Sequence, residues 1–326
     1  MMEQKTYLPE IWVYCETKAK ALTMGAKELL GKAQELAAAA DCKVAAVLFA
    51  GAEKEAAAFG ADKIYRFHSC REEEQAKAIE KQMKNGKPWA FLFPASTKGR
   101  MVSAMLSVKL KTGLTADCVE LSVENGFLKQ TRPAFGGSLM ADILCRHSYP
   151  QMATVQRGVF PLPAEEKDRK AEIVKCALPE KTAPLLKMLD WNQETGGAER
   201  LSEAQIVLAG GMGLEKKENF ALLQQAAQKI GAVPAASRAA VNAGLAPYAW
   251  QVGQSGKTIR PTIYIACGIS GAVQHLAGIQ GAGCIVAVNT DQKAPIFDHA
   301  DIGIAADAVA FLQKLLEKDG FFEEML

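Results

Sequence analysis

The chain has 326 residues, 49% hydrophobic and 23% charged, an ordinary globular balance with material for two domains. Its 38 basic and 36 acidic side chains leave a net charge of +2, which argues against both a nucleic-acid binder and a polybasic membrane-surface protein. No segment approaches the ~18 apolar residues of a bilayer span, and residues 1–11 carry Glu3, Lys5 and Glu10 without an apolar run, so direct membrane insertion and a signal or transit peptide are not expected.

In chain order, residues 19–40 predict an amphipathic helix, because Leu22, Ala26, Leu29, Ala33 and Leu36 recur at helical spacing. Residues 44–49 follow as a short apolar strand. Residues 53–59 predict a helix, 63–67 a strand and 71–84 a charged helix. Residues 89–93 predict a buried strand ended by Pro94. Apolar strands separated by helices imply a parallel sheet covered on both faces. Residues 119–123 and 127–130 flank Asn125-Gly126, a hairpin signal, so the first domain is expected to end in antiparallel additions around residues 121–160. Regularity fails between residues 179 and 200. Residues 191–197 have no usable period and end in Gly196-Gly197. The domain boundary is placed there, giving residues 1–195 and 196–326. Beyond it, strands are predicted at 205–209, 262–266, 284–288 and, weakly, 301–305. Helices are predicted at 219–230, 271–279 and 307–317. The expected fold class is α/β, two domains each with a largely parallel sheet flanked by helices.

Three strand ends in the second domain carry small or polar turns: Ala209-Gly210-Gly211-Met212-Gly213, Cys267-Gly268-Ile269-Ser270-Gly271 and Asn289-Thr290-Asp291. Ligands of open α/β sheets sit beyond the carboxyl ends of the strands. Glycines there let backbone N–H groups approach a phosphate. Ser270 reads as the cap of a helix starting at Gly271, a role compatible with binding a phosphate oxygen. Neither glycine turn matches Gly-x-Gly-x-x-Gly or the Gly-Lys-Ser/Thr of a P-loop. Residue chemistry alone therefore reaches a phosphate-bearing nucleotide in the second domain. Taken singly, Arg238 reads as a helix-start charge and His275 as a core histidine. His68, His147 and His299 have no metal-ligand spacing, and no metal is expected. Glu72, Glu73 and Glu74 read as a solvated helix start. The eight cysteines include no Cys-x-x-Cys pair and read mostly as small buried hydrophobes in a reducing, cytoplasmic compartment.

Longer motifs add a resemblance. Ala236-Ser237-Arg238-Ala239-Ala240-Val241 and Gln251-Val252-Gly253-Gln254-Ser255-Gly256-Lys257 resemble the alpha subunit of electron transfer flavoproteins. So do Tyr264 through Leu276, Val288-Asn289-Thr290-Asp291, and Ala294-Pro295-Ile296-Phe297 with Ala300-Asp301. In the first domain, Thr112 through Cys118 and Gln130 through Gly137 also match. The resemblance implies a Rossmann-like C-terminal domain that binds FAD. Ser237 and Arg238 would lie near the FAD, with Arg238 over the flavin ring. Val252, Gly253, Gln254 and Ser255 would line the flavin, with the Ser255 hydroxyl near its N5 edge. Ser270, Gly271, Ala272, Val273, Gln274 and His275 would wrap the pyrophosphate and bring His275 toward the pyrimidine edge. Asn289 and Asp307, with Ala308 adjacent, would hold the adenosine end. No residue is assigned catalysis in its own right; Arg238, Ser255 and His275 are the redox-tuning candidates.

A reduced flavin gains negative charge, and a fixed cation or donor stabilises it. A hydrogen bond to a charged group is worth roughly 1.5–3 kcal/mol, on the order of 60–130 mV for one electron. The resemblance further implies an electron transfer flavoprotein beta subunit as partner. It implies exchange with flavin dehydrogenases such as acyl-CoA dehydrogenase. Some members of the family split electron pairs from NADH with a second FAD in the beta subunit. Competing readings are a nicotinamide-dependent dehydrogenase, which the missing fingerprint disfavours, and a non-redox adenine-nucleotide-binding regulator. One departure stands out: members commonly carry arginine in the first glycine turn, where this chain has Met212.

Overall fold

The structure, a computed structural model, describes residues 7–49, 51–134, 139–178, 201 and 204–317. The chain divides into two units, Met1–Lys187 and Met188–Leu326. This division, the expected one after residue 195, and the irregular residues 191–197 all fall in a stretch outside the described residues, as do residues 135–137 of the first-domain motif.

The first unit holds β1 (Leu8–Cys15), a small hairpin of β2 (Thr17–Lys18) and β3 (Ala21–Leu22), then β4 (Lys43–Leu48), β5 (Lys63–Arg66) and β6 (Pro88–Pro94). It continues with β7 (Leu114–Cys118), β8 (Glu120–Glu124), β9 (Phe127–Ala134), β10 (Leu139–Leu144), β11 (Gln151–Val155) and β12 (Glu172–Lys175). Seven of these form a wholly parallel sheet, ordered β12-β5-β4-β1-β6-β11-β7. Its central strands are apolar without alternation because both faces are covered. Ile11, Val13, Val44, Ala46 and Leu92 pack on one side with Leu29 and Leu30 of the helix Met24–Ala40. Trp12, Tyr14, Ala45, Val47, Phe91 and Phe93 pack on the other with Ile79, Val102 and Leu106, from the helices Glu72–Gln82 and Thr97–Leu110.

Several expectations are corrected. The first helix starts at Met24, not at residue 19, because Ala19 and Lys20 take left-handed φ of 50° and 69° in the β2–β3 hairpin. Leu22 still reaches the core from that hairpin, so its spacing imitates a helical one. β1, the middle strand of the sheet, is announced by the run Ile11-Trp12-Val13-Tyr14-Cys15 but is absent from the sequence reading. The helix Thr97–Leu110 is absent too, because its apolar residues do not form one stripe; Val108 is 78% exposed. The antiparallel part is narrower than expected. β8, β9 and β10 form a separate three-stranded antiparallel sheet, while β7 and β11 join the parallel one. Asn125 and Gly126 turn the β8–β9 hairpin with positive φ at both positions, as a type I′ turn requires.

The chain passes from β1 to β4 and β5 on one side and then crosses to β6 on the other. The switch point of this sheet therefore lies between β1 and β6. It is closed from within. The Glu16 carboxylate accepts the Ser96 hydroxyl and, at 3.1 Å, the N–H of Gly99, at the start of the helix Thr97–Leu110.

The second unit holds β13 (Ile206–Gly210), β14 (Val233–Ser237), β15 (Gln251–Val252), β16 (Ile263–Cys267), β17 (Cys284–Asn289) and β18 (Ile302–Ala305). All pair in parallel in the order β15-β14-β13-β16-β17-β18, which is 3-2-1-4-5-6 counted within the unit, the doubly wound dinucleotide-binding order. Phe220 and Leu223, from the helix Lys217–Lys229, and Leu312 and Leu315, from the helix Ala308–Glu317, cover one face; Leu276 and Ile279 lie over the other. β14 is absent from the sequence reading, its small residues and Pro234 giving little period, while the helix Arg238–Asn242 after it begins at the residue read as a helix-start charge. The helix expected over residues 271–279 shrinks to Val273–Leu276, since Gly271 has a φ of 88° and Gly278 lies against the Gly253 backbone.

At this switch point the turns after β13 and β16 touch. Gly211 N–H donates to the Cys267 carbonyl at 2.9 Å and Gly213 N–H to the Gly268 carbonyl at 3.0 Å. A Cβ on Gly211 would overlap the Gly268 carbonyl, and one on Gly213 would come within 2.8 Å of Gly268 Cα. These glycines are needed for a backbone crossing, and their N–H groups face the neighbouring turn instead of an open phosphate site. Gly211→Ala is expected to destabilise the second unit by about 1–3 kcal/mol, the usual range for overpacking without room to relax. Urea unfolding followed by far-ultraviolet circular dichroism checks this; an unchanged transition would refute the crossing as a constraint.

Candidate functional site

Beyond the crossing, the carboxyl edge of the second sheet is built from the loops that follow β14, β15, β16, β17 and β18. Ser237 ends β14 and caps the helix Arg238–Asn242, accepting the Ala240 N–H at 3.4 Å. Arg238 is thereby set at the first helical position, exposed, with no acidic partner among the described residues. A cation there is disfavoured by the unpaired N–H groups of the helix start, so the position has no local reason to be positive. An anion placed beside it would meet both.

Val252 ends β15 next to Ser237, and the chain then turns through Gly253, whose φ is 134°. Gln254 N–H donates to the Gln274 carbonyl at 2.7 Å and Ile259 N–H to the Gly278 carbonyl at 2.9 Å. These bonds lay the 253–259 loop along residues 274–278, bringing two distant stretches of sequence together. Gln251, which is buried, donates from Nε2 to Ser255 Oγ at 3.2 Å. The bond fills an acceptor site on Ser255 and leaves its hydroxyl hydrogen to be donated elsewhere. In the sequence Gln251 stands out only as part of a motif; the loop geometry is what brings it against Ser255.

Ser270 does not cap a helix. The residue before the helix Val273–Leu276 is Ala272, and Ser270 is exposed, its carbonyl accepting the Ile296 N–H at 3.0 Å. The N–H groups of Gly271, Ala272, Val273 and Gln274 have no acceptor among the described residues. His275 is buried; its Nε2 lies 2.9 Å from the Tyr264 hydroxyl, and its Nδ1 makes no hydrogen bond. Burial pushes the imidazole down to about 4, against the opposing influence of the Val252 backbone, so it is neutral at pH 7. Beneath the same turn, burial pushes the Cys267 thiol up to about 12, which keeps it an inert core group.

Asn289 and Asp307 are less free than the sequence suggests. The Asn289 amide donates to the Ile269 carbonyl at 3.0 Å and accepts the Asp291 N–H at 3.0 Å. Asp307 caps the helix Ala308–Glu317 by accepting the Ala310 N–H at 2.8 Å. Ala308 is buried in the core of that face. Met212 is 47% exposed, so it does not fill an apolar gap. Among the described residues no cluster of His, Cys, Asp and Glu could hold a metal.

The donor set suits an extended, phosphate-bearing, partly buried cofactor. Four backbone N–H groups and one arginine suit anionic oxygens, while an orphaned imidazole nitrogen, costly to bury without a partner, suits a polar edge. Comparison with known proteins agrees. Residues 11–181 match the electron transfer flavoprotein domain, and residues 200–280 match the electron transfer flavoprotein FAD-binding domain. The chain is 40% identical over 320 residues to the electron transfer flavoprotein subunit alpha of Thermoanaerobacterium thermosaccharolyticum, covering 95% of this chain and 97% of that one. It is 39% identical over 317 residues to Protein FixB of Clostridium saccharobutylicum, covering 94% and 95%. It is 38% identical over 304 residues to the electron transfer flavoprotein subunit alpha of Megasphaera elsdenii, covering 89% and 90%. With both domains matched in tandem and relatives aligned over most of their length, the chain belongs to the electron transfer flavoprotein alpha subunit family.

Proposed function

We propose that this chain holds FAD along the carboxyl edge of its second sheet and carries electrons between proteins as one half of a heterodimer. The observation that supports this most is the gathering on that edge of polar groups without a partner among the described residues: the N–H groups of residues 271–274, Arg238 and His275 Nδ1. FAD, when bound, supplies the electron-accepting and electron-donating chemistry. The chain's own residues position it and set its potential. The 271–274 N–H groups and Arg238 suit its anionic oxygens. Ser255, held by Gln251, offers a hydroxyl hydrogen, and neutral His275 offers its free nitrogen. Val252 and Gly253 set the floor of that loop, and Gln254 ties it to Gln274. Asn289, Asp307 and Ala308 are assigned to the far end, where the backbone they hold has more to offer than their side chains.

In this reading residues 1–195 form the domain that meets a beta subunit, and residues 196–326 the FAD-binding domain. The electron partners are flavin dehydrogenases such as acyl-CoA dehydrogenase, in the cytoplasm. Among the described residues no helix is long and apolar enough to cross a membrane. Co-purification with the beta subunit tests the proposal. A yellow complex whose flavin absorbance bleaches when acyl-CoA dehydrogenase and its substrate are added is the expected result. A colourless complex, or a yellow one that no flavin dehydrogenase reduces, would refute it.

Arg238→Ala is expected to lower the reduction potential of the bound flavin by about 40–60 mV for one electron, a value discounted for the exposure of the side chain. Arg238→Lys should recover part of the shift. Redox titration of FAD-loaded protein decides, and equal potentials in all three forms would remove Arg238 from the tuning groups.

Met212→Arg adds the cation common in relatives to a turn that exposes its side chain. FAD binding should tighten by roughly 0.5–2 kcal/mol at low salt. The gain should shrink as the Debye length falls from ~30 Å at 0.01 M to ~10 Å at 0.1 M. FAD dissociation measured at the two ionic strengths checks this; equal or weaker low-salt affinity would show that charge is not limiting there.

A further inference from the structure

Tyr264 lies within β16, fully buried, and nothing read from the sequence assigns it a function. Its hydroxyl has one polar neighbour among the described residues, His275 Nε2 at 2.9 Å. The protonation of this pair can be worked out by counting donors. Burial keeps the phenol protonated and the imidazole neutral, so each ring brings one hydrogen. One of the two occupies the space between them.

If His275 donated from Nε2, the phenol hydrogen would have no acceptor and Nδ1 would be a bare acceptor without a donor. Two buried polar groups would be left unmade. If Tyr264 donates to Nε2, the imidazole hydrogen sits on Nδ1, and only that one N–H lacks a full partner. The Val252 backbone, which raises the imidazole's proton affinity, favours a hydrogen on the ring. A buried unmade group costs on the order of 1–3 kcal/mol, so the second arrangement prevails.

We propose that Tyr264 is a positioning residue for the cofactor site: by donating to Nε2 it fixes His275 as an Nδ1–H donor, presented to an acceptor atom of bound FAD. The role rests on His275 facing the cofactor, as proposed above. It has a chemical consequence. A neutral imidazole locked as a donor stabilises negative charge by hydrogen bonding without giving up its proton, so the charge stays on the acceptor. The tautomer also selects for an oxygen or nitrogen acceptor and against a donor at that point of the ligand.

Nitrogen-15 NMR of histidine-labelled protein, copurified with its beta subunit, reads the tautomer directly, with and without FAD. The expected spectrum has His275 protonated at Nδ1 and bare at Nε2, with the Nδ1 signal moving on FAD binding. Protonation at Nε2 in the wild type would overturn the tautomer assignment. An Nδ1–H signal indifferent to FAD would instead overturn the contact between His275 and the cofactor, and the role of Tyr264 with it.

Tyr264→Phe should mix the two tautomers and weaken FAD binding about five- to tenfold. A double-mutant cycle separates positioning from packing. In a His275→Gln background, Tyr264→Phe should have little further effect on FAD dissociation. An equal loss in both backgrounds would show that the phenol acts only by filling space, and would refute the proposal.

Discussion

The second unit depends on one close approach, the crossing of the glycine turns after β13 and β16. In a sheet of order 3-2-1-4-5-6 the helices leave these two strands for opposite faces, and a crevice would ordinarily open between them. Here the backbone fills its deepest part. Gly211 and Gly213 donate to the carbonyls of residues 267 and 268, and no side chain fits between the turns. The proposed ligand edge thus lies along the sheet, on the turn that follows Gly268 and the loop that follows β15. There lie Arg238, His275 and the N–H groups of residues 271–274, which have no acceptor among the described residues.

The two units make an instructive pair. Each has a parallel sheet whose first strand lies between its neighbours from both windings. In the first unit the start of the helix after β6 is supplied with its own anion, since Glu16 takes the Ser96 hydroxyl and the Gly99 N–H. A carboxylate at a helix N-terminus satisfies the same donors that a phosphate would. In the second unit the corresponding supply is withheld. The two switch points are therefore filled differently, by a carboxylate in the first unit and by crossing backbone turns in the second.

Side chains on the second edge fall into layers. Arg238, Ser255 and residues 272–274 are exposed, with Gly271 buried beside them. Gln251 and Tyr264 stand behind, both buried, Gln251 bonded to Ser255 and Tyr264 to the buried imidazole of His275. A hydroxyl or imidazole can act as donor or acceptor, and its neighbour decides which. Such buried partners convert ambiguous groups into defined ones, a requirement for a site that must respond to a single added electron.

By itself the sequence determined the class of fold, the parallel units and the strands whose apolar runs, such as residues 44–48 and 89–93, admit no other covering. The long motifs from Ser237 to Asp307 also identified the family and its cofactor, because local chemistry at strand ends is written contiguously. It did not reveal β14, whose small residues carry no period, or the Thr97–Leu110 helix, whose apolar residues are scattered around its circumference. Only the tertiary structure decided which groups remain available. Ser270 loses a capping role when the helix begins at Val273, and Asn289 is occupied by Ile269 and Asp291. Tyr264 gains its position from His275, 11 residues away in the chain and 2.9 Å away in space. Hydrogen-bond satisfaction is a property of neighbours in space, and a linear pattern records only neighbours along the chain.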